Sequence, residues 1–305
     1  MKRLTLGVLT FNNGRYLQDL LSSIDTQKNR DFSVLIVNNG SSDSSAEIIR
    51  DFEKQDHDFD LRVINNEFNY GSYSGTKQLI FNCNTSHLSI IHGDDLLKDT
   101  YSDIANNFIN LNPDVCSFNF DLVEIEGNEN SATGTILQSS WTQFKTLNRL
   151  LVSGLNPGVM PGAILNLEKI DRNFLKEEFE ETKLNGVEDI LIWLKIIRSS
   201  ERIKRVPVAA YFYRRHNGQI SKNFGVYGAS LGYVRKLNFL TSTTLLEKLL
   251  CLSEINHEFF TVNFDDSYLK GLGSLSKYRI FSIFRFLNIL TRRTSKMINN
   301  ISYFN

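Results

Sequence analysis

Apolar residues gather in short, unalternating runs separated by polar punctuation. Leu4 to Leu9, Phe32 to Val37, Leu61 to Ile64, Leu88 to Ile91 and Val115 to Phe120 are such runs. Runs of that length predict strands buried on both faces. Between them the apolar positions return every three or four residues. Tyr16, Leu17, Leu20, Leu21 and Ile24 mark a helix within 15–24. Further helices are predicted over 44–52, with Ser42 or Asp43 as N-cap, from the turn at Asn69-Tyr70-Gly71-Ser72 to about Phe81, and over 99–108. Strands alternating with helices of this length imply an α/β fold, a mostly parallel sheet with helices on both faces.

The second half is less regular. A helix is predicted from Thr142 to Val152 and a Gly- and Pro-dense loop over 154–162. A strand is predicted from Ala163 to Leu167. Ile190 to Ile197 is apolar nearly all round and reads as a buried helix, with Trp193 in its core. Val206 to Tyr213 reads as a strand running into Arg214-Arg215-His216-Asn217-Gly218. Leu231 to Leu252 carries helical spacing. From Ser267 to Asn305 there is no Asp or Glu, while Lys270, Lys277, Arg279, Arg285, Arg292, Arg293 and Lys296 are basic. Ile280, Ile283, Phe284, Leu287 and Leu290 share one helical face there. The pattern divides the chain into a domain over 1–225 and a helical extension over 226–305, whose basic amphipathic tail is 267–305.

Composition narrows the choice. The chain has 305 residues, 41% of them hydrophobic, enough for a sizeable core. Formal net charge is zero, so no electrostatic footprint for nucleic acid is present. Cys83, Cys116 and Cys251 are widely spaced and form no metal or disulfide pattern, which favours a reducing cytoplasm. No run of about 18 apolar residues exists, so a spanning helix is not expected. The opening apolar run is broken by Asn12 and Asn13, unlike a secretory leader.

The candidate chemistry lies where the fourth strand ends, at Leu88-Ser89-Ile90-Ile91-His92-Gly93-Asp94-Asp95. Carboxylates at the C-terminal edge of a buried strand stand where open α/β sheets bind ligands. Adjacent carboxylates repel unless a cation or a helix N-terminus offsets their charge. Two readings follow. Asp94 and Asp95 hold Mg2+ or Mn2+, which prefer oxygen ligands and share them with substrate phosphates. Alternatively, one of them caps a helix beginning at Leu96. A second acidic pair, Glu188-Asp189, opens the buried helix. There too the alternative is complementation of the helix dipole.

Six segments in order carry a family resemblance: Val8-Leu9-Thr10-Phe11-Asn12, Ile36-Val37-Asn38-Asn39-Gly40-Ser41-Ser42-Asp43, Asn69-Tyr70-Gly71, Gly93-Asp94-Asp95, Glu188-Asp189-Ile190-Leu191-Ile192-Trp193-Leu194 and Tyr213-Arg214-Arg215-His216. Over about residues 4–221 the chain resembles the inverting GT-A glycosyltransferases of family 2, particularly bacterial enzymes of surface-polysaccharide assembly. The resemblance implies a GT-A fold and a nucleotide-sugar donor over the C-terminal edge of the sheet. Thr10, Asn12, Asn38, Asn39 and Gly71 would line the donor pocket, with Asp94, Arg215 and His216 near its diphosphate. Asp94, Asp95 and His216 would hold Mg2+ or Mn2+. Asp189, with Glu188 beside it, would be the catalytic base. The family often has Asp-Asp-Gly-Ser where this chain has Asn38-Asn39-Gly40-Ser41. The first Asp of its Asp-x-Asp motif falls at His92.

The expected reaction is inverting sugar transfer to a hydroxyl of a glycan or lipid-linked glycan. The expected place is the cytoplasm, at the inner face of the membrane if the tail binds anionic lipid. Otherwise the tail's apolar face packs on the protein or on a second copy. A nucleotidyltransferase is the competing enzyme class, but Thr10-Phe11-Asn12-Asn13-Gly14 is not its Gly-rich, basic loop. A non-catalytic nucleotide-sugar-binding module would not need both acidic pairs.

Overall fold

The computed structural model describes residues 2–127, 131–136, 141–142, 160–170, 172, 186, 189–190, 192–193, 202–219, 232–236 and 248. The apolar runs become strands of one sheet. Strands β1 (Leu4–Thr10), β2 (Ser33–Asn38), β3 (Leu61–Asn65) and β4 (His87–His92) alternate with helices α1 (Gly14–Asp25), α2 (Ser45–Glu53) and α3 (Ser72–Asn82). β5 (Leu96–Leu97), α4 (Tyr101–Leu111), β6 (Ser117–Ile125), β7 (Ala132–Ile136), β8 (Trp141–Thr142), β9 (Ala163–Asn166) and β10 (Arg202–Arg214) follow.

The sheet order is β3-β2-β1-β4-β9-β6-β10-β5, with β7 on β6 and β8 on β10. β3, β2, β1 and β4 are parallel, β9 runs antiparallel between β4 and β6, and β10 is parallel to β6. Alternate residues of β1 serve two layers. Leu4, Leu6 and Val8 join one core with Leu17, Leu20, Ile49, Phe52, Tyr101 and Ile109, from α1, α2 and α4. The opposite face of β1 meets α3: a Cβ on Gly7 would touch Leu79, and one on Gly75 would strike Leu9. The chain winds from β1 through β2 to β3, then returns to place β4 on the other side of β1. That reversal opens a crevice at the C-terminal ends of β1 and β4.

Three expectations change. Leu96 does not begin a helix. Leu96–Leu97 pairs antiparallel with Tyr211 and Phe212 of β10, and α4 starts at Tyr101 with Thr100 as its N-cap. Asp94 and Asp95 therefore cap no helix. Thr142, expected to open a helix, lies in β8. The tail 267–305, the rest of 143–152, 154–159 and Glu188 lie outside the described residues.

The chain divides into two compact units. The first is Met1–Gln143, Pro157–Thr182 and Lys195–Gln219; the second is Phe144–Asn156, Lys183–Leu194 and Ile220–Asn305. In the second, Asp189 and Ile190 are helical, Ile190, Ile192 and Trp193 are buried, and 232–236 are helical with Tyr233, Val234 and Arg235 buried. Among the described residues no helix is long and apolar enough to cross a membrane.

Candidate active site

The crevice at the ends of β1 and β4 holds the site. Gly93 follows β4 and donates its N–H to Leu9 O at 2.9 Å, which lays the strand end on β1. A Cβ on Gly93 would stand 2.5 Å from Thr10 Oγ1 and 2.7 Å from Thr10 Cβ. Only a residue without a side chain permits that approach. Thr10 is accordingly buried beneath the turn, and its Oγ1 makes no hydrogen bond among the described residues.

The turn then curls. Asp95 N–H donates to His92 O at 3.1 Å, a four-residue turn that returns the Asp94 and Asp95 side chains towards His92. Ligand atoms of His92, Asp94 and Asp95 lie within 4.8 Å of one another.

The two aspartates have different surroundings. Asp95 is fully buried. Its Oδ2 accepts the Tyr211 hydroxyl at 2.7 Å, and its Oδ1 accepts the Arg214 N–H at 2.9 Å. Tyr211 Oη also accepts the His92 N–H at 3.2 Å. Burial, then the neighbouring Asp94 charge, push the Asp95 carboxyl well above its usual range; the Tyr211 and Arg214 hydrogen bonds offset only part of this. Asp94 reaches solvent. Burial pushes its carboxyl up too, but the His216 hydrogen bond and the electrostatic influence of the His92 and His216 imidazoles beside it outweigh that and hold it below the usual value.

His216 Nε2 donates to Asp94 Oδ2 at 2.8 Å. Its Nδ1 accepts the Gly218 N–H at 3.2 Å. A backbone N–H only donates, so Nδ1 carries the lone pair and Nε2 the proton. The ring also lies on Tyr16, with centroids 4.9 Å apart. Arg214 is 1% exposed. Its guanidinium sits 4.6 Å over the Tyr16 ring and reaches Asp19 at 3.3 Å. Arg215, the arginine expected near the diphosphate, pairs with Glu124 through Nε at 2.6 Å and through Nη2, and lies over Tyr213.

A lattice of amides organises the next loops. Asn39 is buried and uses its whole hydrogen-bonding capacity: Nδ2 donates to Asn69 Oδ1 and Gly71 O, and Oδ1 accepts from Asn66 Nδ2 and the Tyr70 N–H. Asn38 donates to Asn65 Oδ1 and accepts the Ser41 N–H. Asn12 accepts the Ser42 N–H at 2.8 Å. Gly71 adopts φ 89 at the N-cap of α3 and donates to Asn69 Oδ1, a left-handed position that glycine alone takes freely. In this structure Asn12, Asn38 and Asn39 bond to the protein itself and frame these loops, while Thr10 lies buried beneath Gly93. A carboxylate in place of Asn39 would have no Nδ2 to give to Asn69 and Gly71, which explains the amide.

Three solvent-facing aromatics at this edge escaped the sequence reading: Phe11 at 40% exposure, Phe68 at 60% and Tyr70 at 47%. Their signal was an aromatic residue inside a Gly- and Asn-rich turn.

The model of glycosyl transferase family 2 matches residues 5–174, more than half of the chain. The chain belongs to that family. Among curated relatives, glycosyltransferase GlyA of Streptococcus pneumoniae serotype 4 is 28% identical over 100 residues, 32% of this chain and 14% of that protein. Poly-beta-1,6-N-acetyl-D-glucosamine synthase of Staphylococcus epidermidis is 32% identical over 89 residues, 29% of this chain and 21% of the relative. These matches thus span less than a quarter of either relative. Among solved structures, S. aureus TarS 1–349 in complex with UDP-GlcNAc superposes with a TM-score of 0.67 at 16% identity, covering 95% of this chain and 87% of that one. The mannosyltransferase PcManGT from Pyrobaculum calidifontis, in complex with GDP-Man and Mn2+, gives 0.56 at 13% identity, covering 94% and 85%. At such identities the likeness establishes the GT-A-like fold, a mostly parallel sheet flanked by helices.

Proposed function

We propose that the chain transfers a sugar from a nucleotide-sugar donor to a hydroxyl of a glycan or lipid-linked glycan, in bacterial surface-polysaccharide assembly. The observation that carries this reading is the solvent-reaching Asp94 at the switch-point crevice, with His92 and His216 beside it. Family membership supports the reaction class, and the nucleotide-sugar complexes of TarS and PcManGT support the donor class.

The donor set fits a divalent cation shared with phosphates: one carboxylate and one imidazole open to solvent, leaving the remaining positions to the diphosphate and water. Mg2+ or Mn2+ held there would act as a Lewis acid on the leaving diphosphate. Asp94 orients the leaving group's side of the site, and His216 keeps the Asp94 carboxylate turned outward. Phe11, Phe68 and Tyr70 offer flat faces to the donor's planar base.

On the acceptor side Asp189 takes the hydroxyl proton, with Glu188 its neighbour. Its support is the family motif and its helical place beside the buried Ile190, whose N–H its Oδ1 accepts at 2.8 Å. Attack from the face opposite the diphosphate inverts the anomeric carbon and needs no enzyme nucleophile. In this reading 1–225 is the transferase domain and 226–305 an extension. The extension's basic amphipathic tail (267–305) meets an anionic membrane at the cytoplasmic side, or its apolar positions pack on the protein or on a second copy of the chain.

The test is mass spectrometry of products from a panel of nucleotide sugars, repeated with Asp189→Asn. Transfer by the wild type is expected, with kcat at least about 100-fold lower in the variant and donor affinity little changed. Absence of transfer or donor hydrolysis across the panel refutes the reading.

A further inference from the structure

His92 stands where the family's motif begins with an aspartate. Read as a substitution, it removes an oxygen ligand. The structure gives it a different meaning. The His92–Asp95 turn brings the imidazole back onto the Asp94 carboxylate, within 4.8 Å of it. Two other expected ligands are otherwise engaged. Asp95 is fully buried, with each oxygen taking a hydrogen bond, so it faces the protein. His216 carries its proton on Nε2, the nitrogen turned to Asp94, and its other nitrogen is filled by the Gly218 N–H. A histidine that ligates a metal donates from its second nitrogen to an acceptor; His216 has the reverse arrangement.

We propose that His92 is the nitrogen ligand of the cation, paired with Asp94. In this arrangement His216 and Asp95 position those two residues and do not touch the metal. The inference deepens the proposed function and rests on the reading of this crevice as a metal-assisted donor site. Its consequence is selectivity. A cation held by one carboxylate and one imidazole is chosen by nitrogen affinity, which Mg2+ lacks and Mn2+ or Co2+ has. The site is therefore a transition-metal site, unlike an all-carboxylate site, which serves Mg2+ equally well.

The experiment uses full-length protein and Mn2+ alone, without donor. Binding is followed by loss of the free-ion electron paramagnetic resonance signal, with Mg2+ as competitor. Electron spin echo modulation reports whether a nitrogen is bound directly to the ion. In the wild type we expect directly bound nitrogen and preference for Mn2+ over Mg2+ of at least about tenfold. His92→Asp should retain Mn2+ while losing the nitrogen signal and most of that preference. His92→Asn serves as a second variant if the aspartate disturbs the fold. His216→Gln should keep the nitrogen signal. Nitrogen coupling that survives in His92→Asp, or disappears in His216→Gln, overturns the assignment. So does wild-type protein that takes up no Mn2+; if that protein still transfers sugar in excess EDTA, the transferase reading stands alone. A protein with the expected nitrogen signal and no turnover of any donor refutes the function and leaves the metal site intact.

Discussion

Tyr211→Phe removes one oxygen atom and leaves the ring packed beside Tyr101, whose centroid is 6.3 Å away. That oxygen does two things. It donates to Asp95 Oδ2 at 2.7 Å, and it accepts the His92 N–H at 3.2 Å. A hydrogen bond to a charged group is worth about 1.5–3 kcal/mol, and an orphaned buried donor costs about 1–3 kcal/mol. The simple sum overstates the loss, because Asp95 keeps the Arg214 N–H and its raised affinity for a proton lets it turn neutral. We expect about 3 kcal/mol of destabilisation, a fall in Tm of about 6–12 °C for a chain of this size. Differential scanning calorimetry of wild type and variant measures it. Asp95 links β4 to β10, so the variant should also bind Mn2+ less tightly, through the released His92 backbone. A Tm within about 1 °C of wild type would show that Asp95 is not held by this hydroxyl, and the account of the buried carboxylate would fail.

Gly93→Ala places a methyl 2.5 Å from Thr10 Oγ1, so the turn must lift off β1. We expect a loss of about 1–3 kcal/mol in urea unfolding together with at least about tenfold weaker Mn2+ binding; wild-type behaviour in both would contradict the close approach. His87 is fully buried at the opposite end of β4, its Nε2 without a hydrogen-bond partner among the described residues. Burial, and secondarily the Arg3 charge, push its pKa down to about 4 from 6.5. The unfolded chain therefore binds a proton below about 6.5 that the folded chain refuses until about 4, so stability should fall by about 3 kcal/mol as pH drops through that window. Chemical unfolding of wild type and His87→Leu between pH 7 and 4 checks this, and equal pH slopes in that window would rule it out.

β1, β2 and β4 were legible because each is buried on both faces, and burial on both faces writes a nearly continuous apolar run; β3, half-buried at the edge of the sheet, left only the short run 61–64. β5 was not: two leucines make no period, and Leu96–Leu97 is a strand only because β10, over a hundred residues later, offers it a partner. The importance of residues 92–95 was legible; the division of labour among them was not. Asp94 and Asp95 are identical in sequence terms. One becomes accessible and one buried through Tyr211 and Arg214, contacts made across the fold. The same holds for the arginines. Arg214 and Arg215 are alike in sequence terms, and strand geometry turns Arg215 to Glu124 and buries Arg214 over Tyr16. Asn38 and Asn39 were recognised as a loop signal, but amides can serve a ligand or a loop, and only the partners decide.

β10 also fixes when the site can exist. Asp95 waits for Arg214, 119 positions downstream, and Asp94 for His216, 122 positions downstream. Closing contacts over such separations is entropically late, whereas β1 to β4 gather from neighbours along the chain. During synthesis the first four strands emerge well before β10. Until that strand docks, Asp95 has neither Tyr211 nor Arg214, and a carboxylate there opposes closure of the core around it. Completion of the sheet and assembly of the crevice are thus one event, so a chain cut short before residue 202 carries the loops after β1, β2 and β4 without the partners that hold Asp94 and Asp95 in place.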